Sequence, residues 1–380
     1  MNSITILGAT GSIGQQTLDI VAHNSELFKI DFLTTYSNIT LLEKQCEKFN
    51  PNGVVIVNDE AYKKFKKETS FEGKILSGIE SLKIAATSSD NNIVVSSLVG
   101  IAGLSPTIEA IKTKKIMLLA NKEVLVVAGK YIMDLVKENG TKVIPIDSEH
   151  SAIYQCLMGE KMKDINKIIL TASGGPFLKL NRKELKNVTI KDALNHPTWN
   201  MGTKVTIDSA TMMNKGFEII EAKWLFDVDI DKIDVIIHKQ SIIHSMVEFI
   251  DGTIKSQLSQ PDMHFPISFA LLGAKRKENN YKKLDFNNLK KLDFLPVNKN
   301  KYPCLELAYY SMEKGGNSSA ILNAANEIAV TEFINNRISF LDIPKIICQA
   351  LNKIEHINNP SIEDLFSTDK ETRIYTSSLV

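Results

Sequence analysis

Six short apolar runs, each followed by an amphipathic stretch, fill the first 147 residues: "SITILGA", "KIDFLTTY", "GVVIVN", "NIVVSSL", "KIMLLAN" and "TKVIPID". Strands that alternate with helical patterns are joined by crossovers and not by hairpins, so they build parallel β-α-β units. An α/β fold is expected, with an N-terminal Rossmann-like, doubly wound parallel sheet over residues 1–147. The chain has 380 residues, room for two or three domains. From 148 to 275 the pattern changes. The strand candidates "DKIDVIIH" and "SMVEFIDGTIKSQL" read as antiparallel, with a hairpin turn at Asp251–Thr253, so a central α+β domain is expected there. Residues 276–301 are rich in Lys and Asn and read as a solvated linker. After Tyr302, Leu322, Ala325, Ala329 and Phe333 recur at three- and four-residue steps, which predicts a C-terminal helical domain over 302–380.

Charge and cysteine usage exclude several function classes. Lys+Arg 45 against Asp+Glu 44 leaves a formal charge of +1, so no net field recruits nucleic acid or an anionic membrane. Cys46, Cys156, Cys304 and Cys348 are scattered without a C-x-x-C pair, which argues for reduced thiols and against a disulfide framework or zinc site. The opening "MNSITILGATG" has no basic segment or cleavage motif, and runs such as "VLVVAG" fall short of the ~20 residues of a membrane span. A soluble cytoplasmic protein is expected, with neither a nucleic-acid nor a membrane partner.

"ITILGATGSIGQQTLDI" places Gly8, Gly11 and Gly14 between the first strand and an amphipathic helix. Glycines there permit a tight turn and close backbone approach, and helix N-terminal amides then face a pyrophosphate. Dinucleotide binding is expected. The second strand ends "TTYSN", Thr34 to Asn38, without the acid that holds a ribose 2′-hydroxyl in NAD sites. A 2′-phosphate meets no repulsion there, and Ser37 and Asn38 could donate to it. No arginine is present, so the NADP reading rests on the missing acid.

"KVIPIDSEHSAIY" sets Asp147 and Glu149 on either side of Ser148. In an extended chain both acids would share a face, and two carboxylates roughly 6 Å apart repel by about 2–3 kcal/mol at an effective dielectric of about 20. A cation would offset this. "TIDSATMMNKGFEIIEAKWLF" offers a third acid, Glu218 or Glu221, and three hard oxygens suit Mg²⁺ or Mn²⁺. "KIILTASGGPF" runs into Ser173-Gly174-Gly175, which could cup an anion with Ser209, Asn214 and Lys215. Between them "HPTWNMGTK", residues 196–204, reads as a flap with Trp199 as its aromatic anchor and His196 at its start. His238 and His244 default to core or interface roles.

These stretches together resemble the 1-deoxy-D-xylulose 5-phosphate reductoisomerases of the non-mevalonate isoprenoid pathway. The likeness runs through "GATGSIG", "LLANKE", "IPIDSEHSAI", "TASGGPF", "HPTWNMGTKVTIDSATMMNKGFE", "IIHSMV", "QPDM" and "LNAANEIAV". The resemblance implies NADPH- and divalent-metal-dependent (Mg²⁺, Mn²⁺ or Co²⁺) rearrangement and reduction of 1-deoxy-D-xylulose 5-phosphate to 2-C-methyl-D-erythritol 4-phosphate, in a homodimer. By the same resemblance Asp147, Glu149 and Glu218 match the metal ligands. Ser173, Ser209, Asn214 and Lys215 match the phosphate groups, and Lys122, Ser148 and His196 match contacts to the substrate's hydroxyl and carbonyl region. Thr10, Gly11, Ser12, Ile13, Asn38, Asn121, Glu123 and Gly202 match NADPH contacts, and Trp199 matches the flap indole. Two departures from the family stand out. Tyr36 and Ser37 stand where a glycine and a basic residue are common, and Lys239 replaces a proline, where a local effect on the strand or dimer contact is expected.

Two rival classes start from the same glycine loop. A semialdehyde-dehydrogenase-like enzyme needs a cysteine nucleophile, for which Cys156 is the nearby candidate, though its sequence reads as helical and buried. A non-catalytic dinucleotide sensor has no use for clustered acids and a phosphate cradle.

Overall fold

The computed structural model describes all 380 residues. They form two compact units, each assembled from separate chain segments: 1–124, 131–151 and 262–281 in the first, 125–130, 152–261 and 282–380 in the second.

The first unit is built on a parallel sheet of β1 (Asn2–Leu7), β2 (Phe28–Thr35), β3 (Gly53–Ile56), β4 (Lys74–Ser77), β5 (Ile93–Ser96), β6 (Ile116–Leu119) and β7 (Val143–Pro145). Their order is β4-β3-β2-β1-β5-β6-β7, all parallel, as a doubly wound sheet requires. The order reverses beside β1, so the crevice past its carboxyl end, where ligands bind in such sheets, opens onto the glycine loop. Six of these strands are the expected ones. The seventh, β4, carries Lys74 and Ser77 in only four residues at the sheet's edge and leaves no apolar run to read.

Residues 262–281 belong to this unit for a packing reason. The helix His264–Leu271 puts Ile267, Ala270 and Leu271 into one core with Ile4, Ile6 and Leu18. Beyond it Lys277 Nζ reaches Glu26 at 2.7 Å, and the Tyr281 ring lies 4.8 Å from that of His264. The stretch expected to begin a linker at 276 is therefore still tied to the first unit.

The second unit carries β8 (Ile165–Ala172), β9 (Ile233–Ile237), β10 (Ile243–Phe249), β11 (Ile254–Leu258) and β12 (Leu295–Pro296), in the order β11-β10-β8-β9-β12. The expected β10–β11 hairpin forms: Gly252 takes φ +83° and Asp251 Oδ1 accepts the Thr253 amide at 2.9 Å. β9 meets the antiparallel expectation in its pairing with β12, but it runs parallel to β8, because the helices between them return the chain to its starting edge.

Helices Pro303–Lys314, Ser318–Ile334, Ile343–Lys353 and Ile362–Ser377 complete the unit. Leu322, Ala325, Ala329 and Phe333 point inward as their spacing predicts. They share one core with Phe177, Ile207 and Phe217, so the C-terminal helices are not a separate compact body.

Candidate active site

Asp147 and Glu149 do not lie on an extended strand. β7 ends at Pro145, and the Ser151 amide donates to the Asp147 carbonyl at 2.8 Å, which starts the helix Ser148–Leu157 with Glu149 in its first turn. Free amides at a helix start favour negative charge, so the fold supplies part of the compensation that spacing alone left open. Lys122 supplies more: its Nζ lies 2.5 Å from Asp147 Oδ2. Ser148 Oγ donates to Glu149 Oε2 at 2.5 Å, and the buried His150 ring is 4.0 Å from Asp147. Beside Lys122, Asn121 Nδ2 donates to Glu123 Oε2 at 2.8 Å and to the Gly100 carbonyl at 3.2 Å.

The glycine loop is sterically committed. Gly8 takes φ +91°, and a Cβ on Gly14 would lie 2.3 Å from the Gly8 carbonyl oxygen, so the helix Ser12–Ala22 begins tight against the loop. That helix has no side-chain cap and no acid in its first turn, an open start suited to a pyrophosphate. Gly11 and Ser12 are exposed at this start, Ile13 packs against the core, and Thr10 Oγ1 bonds Thr35 Oγ1 at 2.7 Å. At the end of β2, Tyr36 and Ser37 are exposed, and Asn38 Oδ1 caps the next helix by accepting the Leu41 amide at 3.2 Å, which leaves its Nδ2 to donate.

In the second unit, Ser173 follows β8, and Gly174 and Gly175 take φ +83° and +67°. A Cβ on Gly175 would lie 2.7 Å from the Ser209 carbonyl, so only glycine lets this turn rest on the helix Thr203–Thr211. Met212, at φ +64°, turns directly into the helix Met213–Phe226. There Lys215 and Glu218 are both buried and ion-paired, and Asn214 Nδ2 donates to the second carboxylate oxygen. Glu221 is buried one turn further along.

His196 links this cradle to the flap. Its Nδ1 accepts the amides of Thr198 at 3.2 Å and Trp199 at 2.9 Å, so the ring proton belongs on Nε2, which donates to Ser173 Oγ at 3.0 Å. Burial holds the His196 pKa below its ordinary value, in keeping with a neutral ring. Ser173 Oγ also accepts the Gly175 amide at 3.2 Å. With both lone pairs occupied, its own proton is left to donate to an anion in the cradle. Trp199 lies 6.1 Å from the His244 ring, and Gly202 is exposed at the end of the flap. His244 is buried on Ser259, and His238 is buried with Nδ1 on the Asp293 carbonyl, as their core roles predict.

Sequence reasoning missed two supports of the cradle. Tyr302 Oη donates to the Gly174 carbonyl at 3.1 Å, and Lys301 Nζ donates to the carbonyls of Phe177 and Leu178 at 2.7 and 2.9 Å. They lie more than a hundred residues away along the chain, and no local pattern signals such contacts. Cys156 sits buried inside the helix Ser148–Leu157, where desolvation pushes its thiol up to about 11.

Family models match the chain in three stretches. Residues 4–129 match 1-deoxy-D-xylulose 5-phosphate reductoisomerase, 143–226 that enzyme's C-terminal domain, and 258–375 the DXP reductoisomerase C-terminal domain. A 1-deoxy-D-xylulose 5-phosphate reductoisomerase of Chloroherpeton thalassium is 50% identical over 376 residues, covering 99% of this chain and 97% of that protein. One from Caldanaerobacter subterraneus subsp. tengcongensis is 50% identical over 374 residues, 98% of each. The Zymomonas mobilis enzyme solved with NADPH is 40% identical, with a TM-score of 0.92 over 100% of this chain and 98% of that one. A DOX-P reductoisomerase solved with NADPH, fosmidomycin and magnesium is 38% identical, with a TM-score of 0.95 and the same coverage.

Proposed function

The chain belongs to the 1-deoxy-D-xylulose 5-phosphate reductoisomerase family, and from that premise we propose that it converts 1-deoxy-D-xylulose 5-phosphate into 2-C-methyl-D-erythritol 4-phosphate, with NADPH and a divalent cation, for isoprenoid precursor synthesis. The observation that carries this reading is the chain-long likeness to the enzyme solved with NADPH, fosmidomycin and magnesium.

The residues present fit both cofactors. By the family likeness Asp147, Glu149 and Glu218 would hold the cation, and hard carboxylate oxygens suit Mg²⁺, Mn²⁺ or Co²⁺. Lysines already neutralise Asp147 and Glu218, which marks both as positions built for a positive neighbour. The open helix start after the glycine loop fits the NADPH pyrophosphate, with Thr10, Gly11, Ser12, Ile13, Ser37, Asn38, Asn121, Glu123 and Gly202 as its contacts. When bound, the cation polarises adjacent substrate oxygens and NADPH supplies the hydride.

The protein's part is binding, orientation and exclusion of water. Ser173, Ser209, Asn214 and Lys215 take the substrate phosphate, with the Ser173 hydroxyl as a free donor and the Lys215 ammonium as the charge. Lys122 and Ser148 donate to the hydroxyl and carbonyl end. Neutral His196 keeps its Nε2 proton on the cradle and its Nδ1 on the flap, so that phosphate binding and flap order are linked. Trp199 covers the sugar. Phosphate contacts remote from the reacting carbons supply binding energy for closure, which then excludes water while the skeleton rearranges and the aldehyde is reduced.

A homodimer is supported by the exposed edge strand β11, where Ile254 and the neighbouring Ile250 are solvent-facing. A cytoplasmic setting is supported by four free cysteines. No helix is long and apolar enough to cross a membrane. The dehydrogenase-like alternative loses its nucleophile, since Cys156 is held protonated within a helix.

NADPH consumption with the ketose phosphate, with and without EDTA, tests the whole reading. Turnover that EDTA abolishes and added Mg²⁺ or Mn²⁺ restores is expected; no consumption, or consumption indifferent to EDTA, overturns it.

A further inference from the structure

Asp208 is a buried carboxylate to which the reading above gives no task. Asp208 is 1% exposed on the helix Thr203–Thr211, one residue before Ser209. Its two oxygens have different partners. Oδ2 lies 3.1 Å from Lys204 Nζ, one turn earlier, and Oδ1 accepts Asn326 Nδ2 at 2.8 Å. Asn326 is fully buried on the helix Ser318–Ile334. The Lys204 ammonium also sits over the Phe217 ring, 5.0 Å from its centroid, and Phe217 precedes Glu218.

The backbone of Asp208 is tied in as well. Its carbonyl accepts Thr211 Oγ1 at 3.2 Å, and Thr211 Oγ1 accepts the amide of Met213, the first residue of the helix bearing Asn214, Lys215 and Glu218. A carboxylate near the C-terminal end of a helix opposes the helix dipole, and burial adds a desolvation cost. An apolar side chain would be cheaper at this position. What the carboxylate alone can do is grip Lys204, the last residue of the flap, while anchored from behind by Asn326.

We propose that Asp208, held by Asn326, is a positioning residue for the reaction: through Lys204 it fixes the carboxyl-terminal hinge of the flap, and through its helix it holds Ser209 toward the cradle. This rests on the functional reading above. The amino end of the flap has its own latch in His196 and Ser173, so the segment between swings from two fixed posts. The second post couples flap closure to the C-terminal helices, which contribute no substrate contact in that reading.

The test uses the full chain carrying Trp224→Phe, which leaves Trp199 as the single remaining indole of the two in the sequence. Fosmidomycin, added with NADPH and Mg²⁺, serves as probe for flap closure read by Trp199 fluorescence, beside steady-state kinetics. Asp208→Asn and Lys204→Met should each raise both the fosmidomycin midpoint and the KM for the ketose phosphate about tenfold, with kcat within about threefold of the parent. Lys204→Arg, which can keep the pair, should stay near parent values. Unchanged midpoint and KM in both disruptive variants would overturn the hinge, as would a fall in kcat alone. Lys204→Met, made from the more accessible side, decides the matter if Asp208→Asn does not fold. If the parent itself gives no fosmidomycin response, the functional reading fails. The hinge is then judged by chymotrypsin cleavage after Trp199 without ligand, expected to be about tenfold faster in the disruptive variants and overturned by an equal rate.

Discussion

His196 Nε2 donates to Ser173 Oγ at 3.0 Å while its Nδ1 accepts the backbone amide of Trp199, so one imidazole ties the Ser173 turn to the backbone of the flap. Protonation at Nδ1 would turn an acceptor into a donor facing two amides. Burial depresses the folded-state pKa of His196 below its ordinary 6.5, so an unfolded or open flap takes up the proton more readily than the ordered one. Flap order is therefore intact above pH 6.5 and weakens as pH falls from there through the lower folded value. Trp199 fluorescence titrated from pH 8 to 5 should show this transition, and His196→Ala should abolish it. Loss of the acceptor leaves two amides unmatched, at about 1–3 kcal/mol each where water cannot reach them. A pH-independent flap in the native chain would refute the latch.

The Lys215–Glu218 pair makes a prediction in two steps. Both side chains are at least 96% buried, so Lys215→Ala removes the counter-charge of a buried carboxylate and should lower stability by about 3–5 kcal/mol, measured by denaturant unfolding. Adding Glu218→Gln to that variant should return most of the loss, since neither charge of the pair then remains. Activity should not return in the double variant, because the proposed phosphate cation and a proposed metal ligand are both gone. Recovery of turnover along with stability would show that the pair is structural only.

The candidate site residues were legible in local sequence as short segments at strand-to-loop and loop-to-helix transitions, Gly8 to Gly14, Asp147 to Glu149, Ser173 to Gly175 and Asn214 to Glu218, while the choice between Glu218 and Glu221 came only from the family resemblance. Short apolar runs placed six of seven first-unit strands, and a period-3.6 pattern placed the inward face of the helix Ser318–Ile334. Contacts made across the chain were not legible. Tyr302 on Gly174, Asn326 on Asp208 and Ile267 beside Ile4 each depend on where a distant helix packs. The acids at 147 and 149 show the intermediate case. Their pairing and need for a positive neighbour were readable, whereas the helix start that supplies it was mistaken for strand.

Lys239, the residue in place of a proline, has a defined local role. Its Nζ lies 3.0 Å from Asp293 Oδ2, the same oxygen that accepts Gln240 Nε2 at 3.0 Å, and the Asp293 carbonyl meets His238 Nδ1 at 2.9 Å. Three consecutive residues after β9 are thus fastened to one aspartate. Lys239 is half exposed, so the ion pair itself contributes less than about 1 kcal/mol. Lys239→Ala should therefore leave turnover unchanged and shift unfolding only slightly, whereas Asp293→Ala, which removes the shared acceptor, should cost more. Equal losses in the two variants would place the stabilisation in the ion pair and not in the Gln240 hydrogen bond.

In the proposed reading cofactor choice turns on the end of β2, where Ser37 is exposed and Asn38 Nδ2 remains a donor after Oδ1 has capped the next helix. With no carboxylate at this point, NADPH should be preferred, and the preference should respond to charge placed at residue 37. Ser37→Asp sets a negative group against the 2′-phosphate and should lower kcat/KM for NADPH about tenfold or more while sparing NADH. Ser37→Arg should move the ratio the other way, because a guanidinium can meet the phosphate with two hydrogen bonds. Both variants lie on an exposed turn, so unfolding midpoints should match the parent and the change can be assigned to the cofactor. If the NADPH-to-NADH ratio of the native chain is near one and neither substitution moves it, the 2′-phosphate is not read at this turn.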